Sequence, residues 1–213
     1  MAGVFITFEG PDGAGKTTQL NLLVKYFIKK GWKVRRTREP GGTAIGDEIR
    51  GLLLNPEHKR MSARAEALLY MAARAQHVSE VIAPALGRGE VVISDRFSDS
   101  TVVYQGVARK LNREDLLAIN DFAVQGIQPD LTILLDGDIR KLRNRLTRRA
   151  SQDRIEQETY DFHASVRQGF LELAAKQPQR IKVVQPLGDI SGVHQAVIKI
   201  VEDFLAGRAG YED

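Results

Sequence analysis

The 213-residue chain contains no cysteine. That absence excludes a disulfide framework and any thiolate-ligated metal, and it fits a reducing compartment. No stretch approaches the roughly 20 apolar residues of a membrane span. The N-terminus, MAGVFITFEG, has no basic n-region, and its apolar run meets Glu9 too soon for a signal peptide. A cytoplasmic protein with no membrane partner is therefore expected. Repeats, low-complexity tracts and composition breaks are also missing, so residues 1–213 are expected to form a single domain long enough to bury a full core.

Hydrophobic residues make up 43% and charged residues 27%, ordinary usage for a globular protein. The net charge is only +4, but it is unevenly placed: residues 140–154 carry seven Lys or Arg against one acid, Asp153. A nucleic-acid binder spreads its basic face over the contact surface, whereas one short basic stretch suits a small polyphosphate, so no nucleic-acid partner is expected.

Short β-branched runs alternate with longer helical patterns. Strands are expected at VFITF (4–8), KVRRT (33–37), VVISD (91–95), LTILLD (131–136) and IKVV (181–184). Consecutive apolar residues at 91–93 and 133–135 fit strands covered on both faces, as in a parallel sheet. Helices are expected over 17–30, 46–54, 63–87, 113–125, 139–149, 159–177 and 193–205, with Gly31 and Gly87 as stops and Pro56, Pro129 and Pro178 in connections. The fold class is α/β, a doubly wound five-stranded parallel sheet.

The first strand runs into GPDGAGKT (10–17), which fits G-x-x-x-x-G-K-[ST] between a strand and a helix, the context this phosphate loop requires. Its glycines turn backbone amides inward around phosphate oxygens, Lys16 reaches the terminal phosphates, and the Thr17 hydroxyl ligates Mg²⁺. Asp12 is out of place there, because a carboxylate adds negative charge beside an incoming anion and needs compensation. GTP-driven switches, ATP-driven motors and phosphoryl transfer to a small acceptor all use this loop. The chain has no N-K-x-D guanine-reading element and little room for a motor's coupling parts.

What the chain does have is arginine at strand ends. TREPGG (37–42) follows the second strand and DRF (95–97) ends the third. Ligands bind outside the carboxyl ends of strands in open α/β sheets, so Arg38, Asp95 and Arg96 should face the phosphate loop. Arg38 and Arg96 form a candidate clamp for a second phosphate-bearing molecule, and Asp95 is placed to hold Mg²⁺ directly or through water. Tyr70 and Arg74 share one helix face, as a base pocket needs, and Thr101 and Gln105 have the same spacing. The basic stretch about 143–158 reads either as a solvated surface helix or as a lid that brings arginine to the transferring phosphoryl group.

Taken in order, EGPDGAGKTT, TREPGGT, LLYMAARAQH, SDRFSDSTVVYQG, QPDLTILLD and DRIEQE closely resemble the motifs of bacterial thymidylate kinases, from the N-terminus to about Phe162. The resemblance implies a P-loop nucleoside monophosphate kinase fold with a short lid. It also implies a homodimer that moves the γ-phosphoryl group of ATP to dTMP with Mg²⁺, giving dTDP and ADP. Gly10, Asp12, Gly13, Ala14, Gly15, Lys16, Thr17 and Thr18 would surround ATP. Arg38 and Arg96 would hold the dTMP phosphate, with Thr17 and Asp95 at the metal. Tyr70 would stack on thymine, with Arg74, Thr101 and Gln105 around its polar edge and Tyr104 against the sugar's 2′ carbon. The acceptor phosphate, with a second pKa of about 6, is largely a dianion at neutral pH, so the reaction needs no base and can rest on position and charge.

The chain resembles those family members with no arginine in the loop and catalytic arginine in the lid. In that reading Asp12 accepts a hydrogen bond from the dTMP 3′-OH, and Arg145, Arg148, Arg149 and Arg154 in or beside the lid compensate its charge, with Arg148 or Arg149 at the γ-phosphate. GVARKL (106–111) differs from the commoner GGGRG, Tyr70 stands where phenylalanine is usual, and Thr147 takes a place that is often basic. A kinase for another monophosphate or for a deoxynucleoside, and a regulatory protein that has lost transfer, are the competing readings.

Overall fold

The computed structural model describes residues 3–146, 151–186 and 188–208. Its sheet contains β1 (Val4–Glu9), β2 (Val34–Arg38), β3 (Val91–Asp95), β4 (Leu131–Leu135) and β5 (Ile181–Val184), all parallel and ordered β2-β3-β1-β4-β5. Each strand lies within one residue of its expected span. The chain steps outward from β1 to edge strand β2, returns to β3 beside β1, then continues to β4 on the other side. The order thus reverses around β1, and a crevice opens beyond the carboxyl ends of β1 and β3.

Alternation along β1 divides the core. Val4, Ile6 and Phe8 join Leu20, Leu23 and Phe27 of α1 (Lys16–Lys29) and Val193, Val197 and Val201 of α9 (Ile190–Ala206). Phe5 points to the opposite layer, among Val78, Ile82, Val92 and Phe97. That second layer includes α3 (Ala63–His77), α4 (Ala83–Gly87), α5 (Ser98–Thr101), α6 (Arg113–Val124) and α8 (Tyr160–Lys176), while α2 (Ala44–Leu54) packs on α3 and α7 (Ile139–Leu146) on α8. Side-chain oxygens of Thr43, Ser62, Asn112, Thr159 and Asp189 cap the helices that follow them.

Two departures from the sequence-based expectation have local causes. The helix expected over 63–87 is interrupted by a π-helical turn at Val78–Ile82. Pro84 lies one turn beyond Glu80 and has no N–H to give its carbonyl, so the ladder widens there. A helix was not expected after Arg96, yet α5 continues into a π-helical segment, Val102–Ala108. Val103 and Tyr104 tuck against Phe162, Val166 and Phe170 of α8, and this packing overrides the strand preference of the valine pair.

A polar stitch ties this layer to the sheet. Arg180, just before β5, gives both Nη atoms to the Asp99 carboxylate (2.7 and 2.8 Å) and Nη1 also to Thr132 Oγ1 (2.8 Å), which in turn pairs with Thr7 Oγ1 (2.8 Å). Arg180→Met should lower the unfolding free energy by about 3 kcal/mol, because it leaves the Asp99 charge uncompensated beside the core. A loss below about 1 kcal/mol in urea titration would show that α5 is held by packing alone.

Candidate active site

The phosphate loop forms where it does because Gly10 can leave β1 at φ 128° within contact of β4; a Cβ there would lie 2.3 Å from the Leu135 carbonyl oxygen. Gly15, at φ 93°, then opens α1. Lys16 folds back over the loop, giving its ammonium to the carbonyls of Gly10 and Pro11 at 3.0 Å each, with Asp12 Oδ1 at 3.7 Å. Burial, together with the nearby Arg96 charge, lowers the Lys16 pKa. Thr17 and Thr18 are exposed, and Thr17 Oγ1 donates to Asp95 Oδ2 at 2.8 Å.

Arg96 crosses from β3 to the loop. Its backbone has φ 73°, a left-handed conformation that costs a side-chain-bearing residue roughly 1 kcal/mol. Three bonds hold the turn: Arg96 N–H to Phe8 O (3.0 Å), Ser94 Oγ to Arg96 O (2.7 Å) and Phe97 N–H to Glu9 Oε1 (2.8 Å). The guanidinium then reaches Asp12 Oδ1 (2.6 Å), Tyr104 Oη (3.0 Å) and Ser100 Oγ (3.1 Å), with Glu9 Oε2 at 3.8 Å. Tyr104 Oη donates to Asp12 Oδ2 at 3.2 Å. Burial alone would raise the Asp12 pKa, but Arg96 and Lys16 outweigh it and hold the carboxyl well below its usual range. The compensation that Asp12 needs is thus supplied by Arg96 and Lys16. Arg154, expected to share that task, instead binds Glu66 (2.7 Å) and the Leu53 carbonyl (2.8 Å). Arg148 and Arg149 lie outside the described residues, as do Thr147 and the side chain of Arg145.

Asp12, Lys16, Thr17, Thr18, Asp95, Arg96, Ser100 and Tyr104 open onto one cleft of about 700 Å³, lined also by Arg38, Tyr70, Arg74, Thr101 and Gln105. Tyr70 is a half-buried wall of the cleft and no part of the core clusters. Arg38 is exposed at the rim and pairs with Asp47 at 3.2 Å. Arg74 lines the cleft beside Thr101 and Gln105, and its donors are engaged by protein acceptors. Nε and Nη2 each lie 2.7 Å from Glu39 Oε2, Nη1 gives to Thr101 Oγ1 and Asn120 Oδ1 (2.8 Å each), and Nη2 gives to Phe97 O (3.0 Å). It is 1% exposed and braces the wall that Thr101 and Phe97 belong to.

Two buried acids that hold the site were not among its expected residues, although both sit inside its motifs: Glu9 lies behind the cleft, immediately before the phosphate loop, and Glu39 lines the cleft from TREPGG. Pro186, Gly188, Asp189 and Ile190 also line the cleft, from a region after Phe162 in which no motif was found. Gln19 reaches them, donating to the Ile190 carbonyl at 3.1 Å.

The thymidylate kinase family model matches residues 8–197. The chain belongs to the thymidylate kinase family. The thymidylate kinase of Pelotomaculum thermopropionicum is 48% identical over 206 residues, covering 96% of this chain and 95% of that one. That of Pelobacter propionicus is 46% identical over 202 residues and covers 92% of each. The crystal structure of thymidylate kinase from Ehrlichia chaffeensis superposes with a TM-score of 0.78 at 34% identity, covering 95% of this chain and all of that one. The fold is that of the P-loop nucleoside monophosphate kinases.

Within this family fold, Glu9 is the buried acid closest to the strand-to-loop junction. Burial pushes its pKa up to about 7, against the pull of Arg96. A carboxyl that binds its proton more tightly when folded adds stability below pH 4.5 and loses it as pH rises toward 7, by about 3 kcal/mol for this shift. Glu9→Gln should flatten that part of the stability profile. Persistence of the slope in chemical unfolding between those pH values would assign it to another group.

Proposed function

We propose that this cleft transfers the γ-phosphoryl group of ATP to dTMP, giving dTDP and ADP for dTTP synthesis. The observation that carries the reading is the convergence, on one cavity, of the phosphate loop, Asp95, the two strand-end arginines and the aromatic and amide wall from Tyr70 to Gln105. In this reading Gly10, Asp12, Gly13, Ala14, Gly15, Lys16, Thr17 and Thr18 enclose the ATP phosphates. Arg38 and Arg96 bind the dTMP phosphate, which attacks in line without a base. Tyr70 stacks on thymine, Tyr104 crowds the 2′ carbon, and Asp12 keeps acceptor capacity for the 3′-OH beside its bonds to Arg96 and Tyr104.

Thr17 and Asp95 fit a Mg²⁺ site. Both are hard oxygen donors with their oxygens 2.8 Å apart. No group of three or more His, Cys, Asp or Glu suited to a metal occurs among the described residues. A Mg²⁺ that takes one carboxylate and completes its shell with phosphates and water matches that sparse set. When bound, the ion would neutralise charge on the phosphates. Arg148 and Arg149 are proposed to serve the transferring group from the lid, in a homodimer of single-domain chains in the cytoplasm that uses no nucleic acid. Among the described residues no helix is long and apolar enough to cross a membrane.

ADP release with dTMP, dUMP, dCMP, dGMP and thymidine tests the assignment. dTMP should lead, with dUMP behind it by the roughly 1–3 kcal/mol that one methyl group is worth in an apolar pocket. Preference for another acceptor, or no turnover with any, would overturn it. Lys16→Ala should cost about 3 kcal/mol in transition-state terms, a loss in kcat on the order of a hundredfold with dTMP affinity little changed. Single-turnover rates within about threefold of the parent would remove Lys16 from the chemical step.

A further inference from the structure

Glu66 is 1% exposed and lies one helical turn before Tyr70 on α3. Its Oε1 accepts from Gln105 Nε2 (2.8 Å) and Arg109 Nε (3.2 Å), and its Oε2 accepts from Arg109 Nη2 (3.1 Å) and Arg154 Nη1 (2.7 Å). Four donors fill the acceptor capacity of a carboxylate. Burial works to raise the Glu66 pKa, but the hydrogen bonds from Arg109, Gln105 and Arg154 more than offset it, and the group stays ionised.

An ionised carboxylate has no hydrogen to give, so Gln105 can meet it only through its NH₂. The flipped amide would set its Oε1 against Glu66, acceptor against acceptor. Oε1 is therefore the end left for the cleft, which Gln105 lines together with Tyr70, Thr101 and Tyr104. Among the described residues Oε1 takes no hydrogen bond. The N–H groups of the neighbouring Arg74 point at protein acceptors.

We propose that Glu66 is a positioning residue for base selection: it fixes the Gln105 amide with the acceptor toward the cleft, so that the wall accepts pyrimidines carrying an N3–H donor and rejects cytosine. This rests on the dTMP kinase reading and deepens it. Thymine and uracil both present N3–H between two carbonyls, whereas cytosine N3 is an acceptor. Facing Oε1, a cytosine ring places two lone pairs together and leaves the buried amide unpaired, the kind of mismatch that discriminates strongly. The thymine methyl is read by shape elsewhere, so selection against cytosine and selection against uracil are separable.

The test measures kcat/KM for dTMP, dUMP and dCMP in the parent, Glu66→Gln, Arg109→Gln and the double variant. A glutamine at 66 can give or accept, so the Gln105 amide is free to turn. The dTMP-over-dCMP ratio should then fall by about tenfold or more in both variants that lack Glu66. The dTMP-over-dUMP ratio should stay within about twofold throughout. Arg109→Gln, which breaks part of the ion cluster but keeps the bond from Glu66 to Gln105, should preserve both ratios. Should Glu66→Gln fold poorly because Arg109 and Arg154 are left facing no charge, the double variant relieves part of that excess and supplies the ratio. If Glu66 were only an ion-pair hub, activity toward all three substrates would drop in proportion and neither ratio would move; that result overturns the proposal. A parent enzyme that prefers another acceptor to dTMP overturns the kinase reading before any substitution is made, and this inference with it.

Discussion

The carboxyl end of β3 is held by a strained turn that two acids stabilise. Arg96 occupies a left-handed backbone conformation, and Glu9 accepts the very next N–H while also sitting near the guanidinium. Asp12 takes the far side of the same guanidinium, so the phosphate loop after β1 and the turn after β3 are joined through one side chain. The cost is backbone strain and the desolvation of two carboxylates. In exchange the arginine stands in the cleft with its direction already fixed, and a bound anion meets it without an ordering penalty. The aspartate that looked misplaced in a phosphate loop is the group that aims this arginine.

The same construction recurs around the cleft. Glu39 holds Arg74, Asp99 holds Arg180, and Glu66 holds Arg109 and Arg154. Buried ion pairs of this kind add little net stability, because desolvation offsets most of the attraction. Their value lies in geometry: each acid selects one rotamer of a long side chain and one face of its hydrogen-bonding array. Arg74 shows the consequence. Satisfied by Glu39, Thr101, Asn120 and Phe97, it makes α3, α5 and α6 a single rigid wall.

The strands and the phosphate loop were legible because their signals are local. Consecutive β-branched residues bury a strand, and the spacing of glycines and lysine makes the loop wherever a strand precedes it. Membership of Arg38, Asp95 and Arg96 in one cleft was also legible from strand ends, that of Tyr70, Thr101 and Gln105 from their four-residue spacings, and that of Tyr104 only from the family resemblance. Pairings were not. Gln105 and Glu66 are 39 residues apart, Arg74 and Glu39 are 35 apart, and Arg180 and Asp99 are 81 apart. Nothing in the local pattern of either partner chooses the other; the crossover connections do. For the same reason Arg154, one of four arginines expected to balance Asp12, serves Glu66.

The far end of the cleft follows from this distinction between local and topological signals. Pro186, Gly188, Asp189 and Ile190 line the cleft between β5 and α9, although no motif marks them. Asp189 caps that helix by accepting from Gly192 N–H, and Gln19 of α1 ties to the Ile190 carbonyl. α1 and α9 are therefore joined near their N-termini. The segment from the loop into α1 is tied on both sides, through the bond of Asp12 to Arg96 after β3 and that of Gln19 to Ile190 of α9. The first tie follows from the strand order, since β1 and β3 are neighbours and the turns that leave them meet.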